Sequence, residues 1–108
     1  MLMNEYANEA MRTAIYPEDR GIEYTVLGLT SEAGEVAGKV KKIIRDKGGI
    51  FDDESKDAIA DELGDVLWYV AALSREIGYS LHGIAAHNLM KLESRASRGT
   101  LSGSGDAR

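Results

Sequence analysis

Two short acidic words carry the chemistry this chain could do: Glu32-Ala-Gly-Glu35 and Glu62-Leu-Gly-Asp65. Each sets two carboxylates three residues apart, which on a helix places both on one face about one turn apart. Converging carboxylates repel one another and lose hydration, and burying even one unpaired carboxylate is very costly. A cation partner, protonation or a bound metal are the usual compensations. Magnesium suits an all-oxygen site best, with manganese as the alternative ion.

Acids paired on a helix are most often solvated surface. Two features point the other way here. Both words continue apolar stripes, Glu32 in line with Leu29 and Val36 and Glu62 in line with Ile59 and Val66. Both also carry small residues, Ala33, Gly34 and Gly64, that leave room for facing helices, although an interior Gly costs about 1 kcal/mol against Ala. Asp61 adds a fifth acid beside the second word. A di-iron bundle would use Glu-x-x-His words, and neither His82 nor His87 follows a Glu at that spacing.

A second set is Asn88, Lys91 and Arg95, spaced by three and four, which read as the wet face of a helix or as a phosphate clamp. Trp68 and Tyr69 follow Asp65 and serve as core or as a stacking surface for a base. The chain has no Cys, so no disulfide and no thiolate site, and it lacks a Walker glycine loop and a Ser-His-Asp set.

Helices must position these groups. Gly48-Gly49, a strong helix terminator, falls at the midpoint of the two acidic words. An antiparallel hairpin there brings the four carboxylates to about one level, roughly 20 Å from the turn. Counted from the ends of a loop over 47–54, the levels differ by roughly 7 Å. An offset, an early helix start or a kink must absorb that. The periodicity predicts helices over 4–15, 23–47, about 54–77 and 81–97. Asp52, Asp53 or Ser55 is a candidate cap for the third helix and Ser80 for the fourth. Lys39, Lys41 and Lys42 lie where cations suit the end of the second helix. Leu81, Ile84, Ala85, Leu89 and Leu92 mark the expected apolar side of the fourth. The expected fold is all-α, a four-helix bundle over 1–97 with a flexible Gly-rich tail over 98–108.

At 108 residues the chain is one domain with a modest core. Its net charge of −5 argues against a nucleic-acid partner. It leaves room for a phosphorylated substrate, provided cations lie between the negative charges. No apolar run spans a membrane and no signal-peptide pattern opens the chain, so the expected setting is the cytoplasm.

The residues also resemble a family. Leu27-Gly-Leu-Thr-Ser-Glu-Ala-Gly-Glu35, Glu62-Leu-Gly-Asp-Val-Leu-Trp-Tyr69, Asn88-Leu-Met-Lys91-Leu-Glu-Ser-Arg95 and the segment Tyr6 to Tyr16 are similar to the all-helical MazG-like nucleotide pyrophosphohydrolases. The ending Gly103-Ser-Gly-Asp106-Ala-Arg108 resembles the tail of small, often phage-borne members. The resemblance implies hydrolysis of a nucleoside triphosphate between the α and β phosphates, giving monophosphate and pyrophosphate. It implies magnesium on Glu32, Glu35, Glu62 and Asp65, and phosphates on Asn88, Lys91 and Arg95. A carboxylate not fully committed to metal can take the proton from water, and Glu32 is the candidate. It implies a homodimer or homotetramer with sites completed across the interface. The tail either folds over a neighbour's site, with Arg108 near phosphates, or stays disordered. Two other readings stay open. One is a related enzyme on another pyrophosphate, of the dUTP, dCTP or phosphoribosyl-ATP type. The other is a non-catalytic helical module that binds nucleotide and oligomerises.

Overall fold

The computed structural model describes residues 1–108. It contains four α-helices and no strand: α1 (Met3–Ala10), α2 (Gly21–Lys47), α3 (Asp53–Glu76) and α4 (Leu81–Ser97), with short 3₁₀ turns at Met11–Thr13 and Glu18–Arg20.

The α2–α3 hairpin is the frame. α2 stops where Gly48 and Gly49 take left-handed φ values of 60° and 76°. The N–H groups of both bond to the Ile43 carbonyl, which satisfies acceptors the helix end would leave open. α3 starts on Asp52, whose side chain accepts from the Ser55 N–H at 2.8 Å. The loop is therefore Gly48–Asp52, shorter than the expected 47–54, and the early start of α3 takes up part of the offset. Across the hairpin Lys47 reaches Ser55 (3.3 Å), Lys39 reaches Glu62 (3.9 Å) and Gly28 abuts the Tyr69 ring. That register centres near Ile50, as the position of Gly48-Gly49 between the acidic words requires.

α1 is shorter than the periodicity predicts. It ends at Ala10 because the Ala10 carbonyl accepts from the Thr13 hydroxyl (2.8 Å) and the Trp68 indole N–H (3.0 Å). The Ala14 N–H turns instead to Met11, tightening the chain into a 3₁₀ turn. α4 starts on Ser80, which accepts from the Gly83 N–H at 3.0 Å, and it packs on α1 and α3.

The expected apolar side of α4 is corrected. Leu81 is buried, but Leu89 is 67% exposed and Leu92 41%. Arg95, from the stripe read as donors, is only 6% exposed. Beyond the first turn of α4 the chain leaves Leu89 and Leu92 uncovered. After α4 the tail turns back on itself. The Arg108 guanidinium donates to the carbonyls of Thr100 (3.1 Å), Leu101 (3.1 Å) and Gly105 (2.8 Å).

The core is small. Ala10, Ile43, Ala71, Ala72 and Leu81 are its buried apolar residues. The radius of gyration, 16.8 Å, exceeds the about 13 Å usual for this length. Gly34 and Gly64 meet no atom of the chain within 4 Å of where a Cβ would stand. They therefore do not mediate the close α2–α3 approach expected of them. Gly28 does, since a side chain there would collide with the Tyr69 ring.

Candidate metal centre and substrate cleft

α2 supplies Glu32 and α3 supplies Glu62 and Asp65. One carboxylate oxygen from each lies within 4.8 Å of the others. Opposite ligands of a magnesium ion stand about 4.2 Å apart, so small side-chain rotations would bring the three onto one ion. The donor set, all carboxylate oxygen, matches a hard divalent cation. Glu35 lies outside this group but near enough for its charge to act on Glu32. Three of the four expected acids thus converge and the fourth flanks them.

The crowding shows in Glu32. Loss of hydration raises its pKa above the usual carboxylate value, and the charges of Asp65, Glu62 and Glu35 add to the effect. The one cation beside the cluster is Lys39, 3.9 Å from Glu62. Lys39 thus answers a carboxylate across the hairpin and not only the dipole of its own helix. Its spacing in line with Glu32, Val36 and Ile43 was the available signal.

On the N-terminal side of the acids lies a cleft of about 410 Å³. Glu32 and Asp65 form one wall; Tyr16, Tyr24, Trp68 and Tyr69, with Thr13 and Ile15, form the rest. Tyr16 and Tyr24 stack at 5.2 Å, and Trp68 meets Tyr69 edge-on at 4.9 Å. The Trp68 indole N–H donates to the Ala10 carbonyl and the Thr13 hydroxyl, both at 3.0 Å, which fixes the ring. Burial, then Tyr24, then the charges of Glu32 and Asp65 push the Tyr69 phenol above its ordinary pKa. Burial and Asp65 do the same to Tyr6. Tyr16 and Tyr24 were not anticipated as site residues, because only the fold brings that segment beside α3.

The expected phosphate clamp stands elsewhere in the single chain. Asn88 and Lys91 line a separate groove of about 620 Å³ with Tyr79, Ile84 and His87. Arg95 donates to the Asp106 carbonyl at 2.9 Å, and Arg108 spends its donors within the tail. No helix is long and apolar enough to cross a membrane.

The family model for the MazG nucleotide pyrophosphohydrolase domain matches residues 20–99. Over 114 aligned residues the chain is 46% identical to the Gene 37 protein of Mycobacterium phage L5, covering all of both chains. No solved structure matches.

Proposed function

The chain belongs to the MazG nucleotide pyrophosphohydrolase family, and on that premise we propose that it is a magnesium-dependent enzyme that hydrolyses a nucleoside triphosphate between the α and β phosphates. The observation that carries this reading is the convergence of Glu32, Glu62 and Asp65 at the edge of an aromatic cleft. Glu32, Glu62 and Asp65, with Glu35 beside them, would hold the cation. When bound, a divalent cation neutralises charge on the phosphates and makes water a better nucleophile.

The residues of the chain have distinct tasks. Glu32, on the cleft wall, is the carboxylate that would accept a proton from an attacking water through an oxygen not committed to the cation. Trp68, Tyr69, Tyr16 and Tyr24 offer flat faces for a base, with its phosphates then directed at the acids. The donors Asn88, Lys91 and Arg95 do not face the acids of their own chain. Asn88 and Lys91 serve as phosphate ligands when a second copy brings its α4 across, and Arg95, buried and bonded to the Asp106 carbonyl, joins them only when the tail releases it. Arg108 takes a phosphate only when the tail gives up its internal bonds. The exposed Leu89 and Leu92 on α4 support a homodimer or homotetramer.

The test is a panel of canonical and modified nucleoside triphosphates with magnesium in ¹⁸O-labelled water. The expected products are pyrophosphate and a monophosphate that carries the label, as attack at the α phosphorus requires. Release of orthophosphate and diphosphate, or no product from any substrate, overturns the proposal.

A further inference from the structure

The α2–α3 groove has a chemical order along its length. At one end stand the aromatics Tyr24, Trp68 and Tyr69; in the middle stand Glu32, Glu62 and Asp65. On the hairpin side of the acids lies a separate cavity of about 170 Å³ lined by Lys39, Lys42 and Lys47 of α2 and Ser55 and Ala58 of α3, among others. Two acids, Asp46 and Glu54, also border it. Asp46 is held by the Arg45 guanidinium at 2.8 Å, while Glu54 is 89% exposed and lies 3.9 Å from Lys47. Lys47 is itself engaged by Asp52 and Ser55. Lys42 lies close enough to Asp46 for its charge to act there, which leaves Lys39 as the lysine with charge to give. Lys39 has only its long contact with Glu62, and its side chain is 40% exposed.

We propose that this order fixes the polarity of the bound nucleotide, with the base at the aromatic end and the β and γ phosphates at the lysine end, and that Lys39 binds the departing pyrophosphate. The inference rests on the pyrophosphohydrolase reading and adds a direction and a residue to it. A lysine is a mobile point charge on a flexible stem. In the free protein Lys39 offsets the negative charge around Glu62. With Glu62 committed to a cation, the Lys39 ammonium would be available to a phosphate oxygen on the hairpin side. Bond breaking between the α phosphorus and its bridging oxygen leaves negative charge on the pyrophosphate, and a cation on that side stabilises it.

The experiment is calorimetric binding, in the presence of magnesium, of inorganic pyrophosphate, a nucleoside monophosphate and an α,β-methylene triphosphate. It compares the full chain with Lys39→Met and Lys39→Arg. Manganese affinity of each protein is measured by electron paramagnetic resonance. In Lys39→Met, pyrophosphate and the methylene analogue are expected to bind about tenfold more weakly. The monophosphate should bind unchanged, manganese should bind no more weakly, and Lys39→Arg should recover most of the loss. Equal weakening of monophosphate and pyrophosphate, weakening of neither, or a loss of manganese affinity overturns the assignment of Lys39. A wild-type chain that hydrolyses its substrate while Lys39→Met shows no such split sinks only this inference. A wild-type chain that releases no pyrophosphate from any triphosphate sinks the reaction.

Discussion

Glu32 ionises freely in the unfolded chain, but in the fold it meets Asp65, Glu62 and Glu35 with part of its hydration lost. The folded state therefore holds the proton more tightly than the unfolded one. Metal-free stability is expected to fall as pH climbs from the ordinary value of 4.5 through the raised one, and to level off above it. Thermal melts in chelator across that window read the slope, and saturating magnesium should cancel it. Glu32→Gln should flatten the slope and raise the melting temperature of the metal-free protein at neutral pH. The same change should abolish the rise that magnesium produces. A pH profile identical in wild type and variant would show that the carboxylates do not burden one another. For Glu35→Gln, turnover should drop at least about a hundredfold with helix content and assembly mass retained; surviving turnover would remove Glu35 from the site.

Helix ends and close approaches set the frame around those acids. Asp52 supplies the cap that starts α3 early, so Asp52→Ala should cost about 1 kcal/mol, read as a lower melting temperature with little change in turnover. Gly28 is where α2 and the Tyr69 ring nearly touch. Gly28→Ala adds a methyl group with no room, and overpacking costs about 1–3 kcal/mol. Better helix propensity returns up to about 1 kcal/mol. A net loss of stability is expected, together with weaker nucleotide binding as the ring shifts in the cleft. A variant as stable as wild type would mean that Tyr69 moves aside freely.

At the scale of the molecule, ten buried residues of 108 make a thin core. Leu63 is 53% exposed on α3, beside Gly64 with open space above it. A second copy would cover such surfaces. The wild type is expected to sediment as a dimer or larger, and Leu63→Lys to shift it towards monomer with loss of turnover. A wild type that stays monomeric at every concentration, yet turns over fully, would contradict the shared site.

Much of this was legible in the chain itself. The spacing of Glu32-x-x-Glu35 and Glu62-x-x-Asp65 around Gly48-Gly49 set the hairpin and its register. Helical periodicity is local, and a left-handed glycine stops a helix whatever surrounds it. Ser80 likewise read as a cap, because a cap needs only the next three residues, whereas Asp52 was one of three candidates and the structure selected it. Other features depended on groups distant in sequence. α1 ended early because Trp68, far along the chain, competes for the Ala10 carbonyl. Tyr16 and Tyr24 became a cleft wall only when α2 lay against α3, and Lys39 became a neighbour of Glu62 by the same docking. The outward leucines of α4 and the inward Arg95 could not be foreseen, since amphipathic spacing marks a stripe but not the surface it will meet. Spacing along one helix is fixed by bonded geometry, whereas the partners of a side chain are fixed by which helices find one another.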